Sequence, residues 1–154
     1  MTRVYIGIGS NLDDPVQQVR SAIEALRALS EVLAVSSLYR TAPWGKTDQP
    51  EFVNAVVALN TKLRPRQLLQ ALKWLESKLG RAETSERWGP RRIDFDILVF
   101  GDEEIDDGDL VIPHPRLHER AFALVPLAEI APQYASMRDA LDARELGGVH
   151  SVGN

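Results

Sequence analysis

The chain has 154 residues, 44% of them apolar and 26% charged, with a formal net charge of −4, and such a size and balance predict one soluble domain, 1–154, built on a single core. Cysteine is absent, which excludes disulfide stapling, thiolate chemistry and cysteine-ligated zinc and suits a reducing compartment, so a cytoplasmic location is expected. The acidic balance argues against a general nucleic-acid binder; with no basic-then-apolar leader before Asn11 and no apolar run of bilayer length, neither export nor membrane insertion is expected.

Val4 to Gly9 reads as a short strand, and Asp14-Pro15 supplies a helix N-cap with proline at the first helical position. Val19, Ile23, Leu26 and Leu29 recur at helical spacing, predicting a helix from near Pro15 to near Ser30 with one apolar stripe. Val32 to Tyr39 is predicted as a strand. Pro43, Gly45 and Pro50 make 40–51 a loop, and the apolar run Phe52 to Leu59 predicts a buried strand paired with the one before it. Pro65 opens a second helix, Leu68, Leu69, Leu72, Leu75 and Leu79 give it a core face, and Gly80 is placed to stop it. Trp74 falls among those leucines and is expected in the core or a groove wall. Asp94 to Phe100 is the fourth strand. The order β-α-β-β-α-β is that of the ferredoxin-like split βαβ motif, an α+β fold with an antiparallel sheet and both helices on one face. Additions follow it: an acidic stretch, turns at Pro113 and Pro115, a short helix over Ala121 to Ile130 broken at Pro126, and a tail, 147–154, expected to fray.

Chemistry concentrates around the fourth strand. Asp94 and Asp96 alternate with Ile93, Phe95 and Ile97, so a strand puts both carboxylates on one face, about 7 Å apart. Such a pair is either a solvated strand face or a pair of hard oxygen ligands for Mg²⁺, with nucleotide phosphates and waters completing the shell. Before it, Arg81, Arg87, Arg91 and Arg92 outnumber Glu83 and Glu86 in a stretch of about a dozen residues without apolar periodicity, a length often associated with functional lids. Guanidinium forks there suit polyphosphate oxygens; the alternative is a basic loop paired with its own glutamates. Trp88 in that stretch calls for a partner. His114 stands between Pro113 and Pro115, which suits a pre-set ligand contact, whereas His118 is expected to face solvent. Gly7 and Gly9 lack the third glycine of a dinucleotide fingerprint and read as close-packing strand positions, and neither a P-loop nor a His-Glu-x-x-His zinc site occurs.

Gly9-Ser10-Asn11-Leu12, Tyr39-Arg40-Thr41, Asp48-Gln49-Pro50 with Phe52 and Asn54, and above all Arg87-Trp88-Gly89-Pro90-Arg91-x-x-Asp94-x-Asp96 follow one another in order. Together they resemble the 6-hydroxymethyl-7,8-dihydropterin pyrophosphokinase family, from Val4 to about Pro132. The resemblance implies transfer of pyrophosphate from ATP to the pterin hydroxymethyl group, with AMP as the nucleotide product. It implies that Asp94 and Asp96 hold two Mg²⁺ ions, that Arg81 and Arg91 act in catalysis, and that Arg81, Arg87, Trp88, Arg91, Ile97, His114 and Arg120 line the ATP. It further implies that Phe52 and Phe122 sandwich the pterin, Asn54 bonds its edge, and Thr41 and Trp44 contribute mainly through backbone. A monomer is expected. Glu83 and Thr84 stand where certain members carry basic residues, Pro115 where some have an aromatic, and Phe95 where an aliphatic residue is usual. The rival readings are a non-catalytic ferredoxin-like module that binds nucleotide or metal, since the fold hosts many non-enzymes, and a metal-dependent nuclease, which the acidic charge disfavours.

Overall fold

A computed structural model describes residues 1–12, 14–41, 51–79 and 93–152. In chain order it contains β1 (Thr2–Ser10), α1 (Pro15–Leu29), β2 (Glu31–Val35), β3 (Tyr39–Thr41), β4 (Phe52–Thr61), α2 (Pro65–Leu79), β5 (Asp94–Phe100), β6 (Ile105–Asp107), β7 (Leu110–Ile112), α3 (Ala121–Ile130), α4 (Ala135–Asp139), α5 (Ala143–Gly147) and β8 (Val149–Ser151). β1 lies between β5 and β4, antiparallel to both. The far edge of β4 is shared, β2 pairing with its second half and β3 with its first, and β8 adds outside β3. β6 and β7 form a separate hairpin. The expected β-α-β-β-α-β order and antiparallel sheet are present, so the fold is α+β and ferredoxin-like in its main body.

Alternation along the strands sorts the side chains. Val4, Ile6 and Ile8 of β1, Val53, Ala55 and Val57 of β4, and Phe95 and Ile97 of β5 pack with Val19, Ala22, Ile23 and Leu26 of α1 and Leu68, Leu72 and Leu75 of α2. The two helices are therefore on one face, as their apolar stripes predict. Each such buried aliphatic or aromatic side chain contributes roughly 1.5–3 kcal/mol. The second face is also covered: Tyr5, Val56, Ala58, Leu98 and Val99 pack against Ala123, Leu124 and Leu127 of α3. That is why β4 is an almost unbroken apolar run; it is buried on both sides.

Four expectations are corrected. The predicted strand over Val32–Tyr39 is two strands, because Ser36 breaks it: its N–H donates to the Val56 carbonyl (2.9 Å), and its hydroxyl, in place of a main-chain carbonyl, accepts from the Val56 N–H (2.9 Å). α3 runs through Pro126; proline inside a helix costs roughly 3 kcal/mol, and burial of Leu124, Pro126, Leu127 and Ala128 on the sheet offsets it. The tail is not frayed over Val149–Ser151, which pair with β3. Trp74 is not in the core: it is 59% exposed, with the Lys78 ammonium 5.2 Å from its ring centroid. The N-cap at Asp14 is as expected, its carboxylate accepting from the Gln17 N–H.

Candidate active site

On the α3-facing side of the sheet, two glycines of β1 separate residues of β4 from residues of β5. Register places Gly9 of β1 opposite Asn54 of β4 on one side and opposite Asp94 of β5 on the other. Gly7 sits likewise between Val56 and Asp96. A Cβ on Gly9 would come within 2.8 Å of Asn54 Oδ1, whereas one on Gly7 would make only ordinary contact with Leu98, at 3.5 Å. The close-packing expectation thus holds for Gly9 and not for Gly7. Without side chains between them, Asn54 and the two aspartates share one floor.

Asn54 is almost fully buried, and its Nδ2 donates to Thr41 Oγ1 at 2.9 Å. This bond sets which way the amide points, so the Thr41 side chain has a part that the sequence reading, which gave Thr41 a backbone role, does not include. Asn54 is opposite Tyr39, and Thr41 opposite Phe52. Phe52 is 37% exposed at the head of β4. Phe122 is half-buried against the α3 cluster, with the Arg120 guanidinium 5.4 Å from its ring centroid. Arg120 Nη1 also lies 4.0 Å from Asp96 Oδ2, so this one cation links an aromatic wall to a floor carboxylate.

Behind the aspartates a cleft of about 210 Å³ is lined by Leu69 of α2, Asp96 and Ile97 of β5, Leu110 and Val111 of β7, and His114 and Pro115. Asp96, Ile97 and His114 are thus brought together as the sequence reading requires. The His114 N–H donates to the Leu98 carbonyl (2.9 Å), pinning the loop to β5, and its Nδ1 accepts from the Arg116 N–H (3.2 Å). Burial, then the nearby Arg120 and Arg116 charges, hold its pKa below the usual histidine value. The imidazole is therefore neutral at pH 7, with Nδ1 engaged as acceptor and its proton on Nε2. His118 is exposed, 3.8 Å from Glu119, as expected.

Supporting contacts the sequence reading missed frame these groups. Glu76 of α2 accepts from the Phe95 N–H (2.8 Å), fixing the start of β5 between the two aspartates. Arg66 and Lys73 of α2 both reach Asp109 (2.9 and 3.2 Å), and Arg66 also reaches Asp107 (3.3 Å), tying the β6–β7 hairpin to α2. Glu129 of α3 accepts from the Ser37 N–H (2.9 Å), the Ser37 hydroxyl (3.0 Å) and the Tyr39 hydroxyl. Burial first, and this carboxylate second, push the Tyr39 pKa up to about 12. Only Glu76 left a signal in sequence, an acid set one residue beyond Leu75 in an otherwise apolar stripe. Trp44, Arg81, Arg87, Trp88 and Arg91, with the lid expected over 81–91, lie outside the described residues.

Among the described residues no cluster of three or more acids, histidines or cysteines could hold a metal ion alone. The Asp94 and Asp96 pair fits a hard cation that takes its remaining ligands from a bound polyphosphate and water.

Solved structures bear on the fold. A Plasmodium falciparum HPPK-DHPS (wild type, with SDX-DHP) superposes with a TM-score of 0.68 at 15% identity, over 90% of this chain and 43% of the other. An HPPK-DHPS described as in complex with substrates gives 0.72 at 14%, with the same coverage. The chain thus spans less than half of those longer chains, and likeness at that identity speaks for the fold. Sequence settles the family: the model for 7,8-dihydro-6-hydroxymethylpterin-pyrophosphokinase (HPPK) matches residues 5–132, and the chain belongs to that family. Among its relatives named 2-amino-4-hydroxy-6-hydroxymethyldihydropteridine pyrophosphokinase, one from Methylorubrum extorquens is 45% identical over 99% of both chains. Another, from Pseudomonas aeruginosa, is 48% identical over 84% of this chain and 81% of its own length.

Proposed function

We propose that the chain carries out the reaction for which its family is named, transferring pyrophosphate from ATP to 6-hydroxymethyl-7,8-dihydropterin in folate biosynthesis. The pterin hydroxyl oxygen bonds to the β-phosphorus, the bridging oxygen leaves with AMP, and the hydroxyl proton is lost to solvent. No covalent enzyme intermediate is required; the protein supplies position and charge.

The observation that carries this reading is the cross-strand row of Asn54, Gly9 and Asp94, which sets an amide for a heterocycle edge near a carboxylate for a phosphate-bound cation, with only a glycine on the strand between. Asn54, oriented by Thr41, reads the pterin edge, with Phe52 and Phe122 as ring walls and Trp44 as a further contact. The cleft at Ile97 and His114 takes the nucleotide, and the neutral imidazole offers Nε2–H as donor. Arg120, beside Asp96, adds positive charge where the triphosphate turns toward the pterin. Arg81, Arg87, Trp88 and Arg91 complete the phosphate contacts in this proposal. Asp94 and Asp96 would hold Mg²⁺, two ions with ATP bound, which would supply charge neutralisation at the triphosphate and polarisation of its β-phosphoryl group.

The enzyme acts as a cytoplasmic monomer in this reading; among the described residues no helix is long and apolar enough to cross a membrane. Chromatography of a reaction with ATP, Mg²⁺ and the pterin is the test. AMP and a pterin diphosphate in equal amounts are expected; ADP with a pterin monophosphate would overturn the assignment.

A further inference from the structure

We infer that the strand Val149–Ser151 is a positioning element for the pterin end of the site. This rests on the reading that Asn54 and Thr41 meet the pterin. β3 has three residues and is paired along both of its edges. β4 covers its inner edge through Tyr39 opposite Asn54 and Thr41 opposite Phe52. β8 covers the outer edge, with Val149 opposite Thr41, His150 opposite Arg40 and Ser151 opposite Tyr39. The ladder continues with the Val152 N–H donating to the Leu38 carbonyl at 2.8 Å, and the Val152 side chain packs against the apolar cluster beneath the sheet.

The consequence runs through Thr41. It is the last residue of β3 and receives the Asn54 amide, so the direction in which Asn54 presents its polar atoms depends on where β3 ends. β8 is the outer support of that end, and it lies beyond the residues covered by the family match, which stops at 132. The bond from Val152 to Leu38 makes Leu38/Val152 a hydrogen-bonded pair, and antiparallel alternation makes Arg40/His150 the next. His150 is exposed, so what holds β3 is its backbone and not its imidazole.

Two substitutions separate these. His150→Pro removes the N–H and sets a ring against Arg40, while His150→Ala keeps the backbone. We expect His150→Pro to raise the pterin KM at least about fivefold, with the ATP KM within about twofold of the parent, and His150→Ala to match the parent in both. A folded His150→Pro with an unchanged pterin KM would overturn the inference, and so would equal losses toward both substrates, which a general weakening of the fold would give. If His150→Pro does not fold, Val152→Ala loosens only the apolar anchor and is expected to show the same selective rise in smaller measure; its absence counts against the inference equally. Asn54→Ala, run alongside, isolates the underlying reading. No change in the pterin KM there would refute the pterin assignment itself, whereas a rise there without one in His150→Pro refutes only the role of β8.

Discussion

Around Asn54 the chain is held by main-chain ladders and a part-buried amide-to-hydroxyl bond, with β8, β3 and β4 side by side; around the cleft, the β6–β7 hairpin is held to α2 by Arg66 and Lys73 reaching Asp109 on the surface. Ladder bonds between neutral groups do not respond to salt, and a part-buried bond is less open to competition from water, while exposed ion pairs are weakened by solvent and salt. In the proposed reading the described strands of the pterin end are therefore the less sensitive to salt, and the nucleotide end has a wall that solution conditions can loosen. Between them stand Asp94 and Asp96, which neither arrangement can replace.

The largest effect is expected at that junction. Asp94→Ala and Asp96→Ala should each lower kcat by about a thousandfold or more, since in the proposed reading each removes a carboxylate from the phosphate-bound cation and such charge stabilisation is worth several kcal/mol. Circular dichroism should report an intact fold. A folded variant with near-normal turnover in Mg²⁺ would remove that aspartate from the metal site.

Next comes the rigid end. Gly9→Ala places a methyl 2.8 Å from Asn54 Oδ1, and because Thr41 holds the other side of the amide, the group can move only by giving up that bond. A rise in the pterin KM of about tenfold is expected, equivalent to roughly 1.4 kcal/mol, with ATP binding unaffected. Gly7→Ala, whose Cβ meets Leu98 at an ordinary 3.5 Å, should be close to the parent. Equal behaviour of the two variants would show that the floor is not shaped by Gly9.

How much of this was legible in the chain follows from how local each determinant is. The two helices and β5 announce themselves through periodicity, Pro15, Pro65 and the alternation around Asp94, all within one element. The break at Ser36 was hidden because a serine hydroxyl replacing a ladder carbonyl depends on Val56, twenty residues away. The helix through Pro126 was misjudged because its stability comes from the sheet face it covers. β8 reads as a frayed tail because three residues carry no pattern; it is ordered only by an edge that β3 offers. At the site, residue types were readable from their motif, whereas Glu76, Asp109 and Glu129 act through partners on other elements. Arg81, Arg87, Trp88 and Arg91 carry the most specific motif and lie outside the described residues.

His114 tests the flexible end by pH. Burial, with Arg120 and Arg116 nearby, lowers its pKa, so folding favours the neutral ring. Its contribution to stability is fully present above the ordinary histidine value of about 6.5 and is lost as pH falls below that through the depressed folded value. An NMR titration of the imidazole should therefore place its midpoint below the ordinary histidine value, and ATP binding should weaken as His114 protonates. A midpoint at or above the ordinary value would contradict the packing of His114 beside Arg116 and Arg120.

The smallest effect belongs to the surface clamp. Arg66, then Lys73, draw the Asp109 carboxyl down to about 2, so its contribution is present above the usual carboxylate value and fades only as pH falls toward 2. Near neutral pH, then, acidity does not reach this contact, and ionic strength is what does. At 1 M salt the screening length falls to about 3 Å, and because Arg66, Lys73 and Asp109 are all substantially exposed, the pairs then hold the hairpin weakly. The ATP KM should rise with salt by less than about fivefold, the pterin KM should stay level, and Asp109→Asn should remove most of the difference in salt response between them. General screening of ATP's own charge also raises its KM, which is why the parent and Asp109→Asn must be compared across the same salt series. Parallel slopes would mean that the clamp does not shape the nucleotide wall, and a pterin KM that climbs together with that for ATP would mean that the two ends are not held as differently as their contacts indicate.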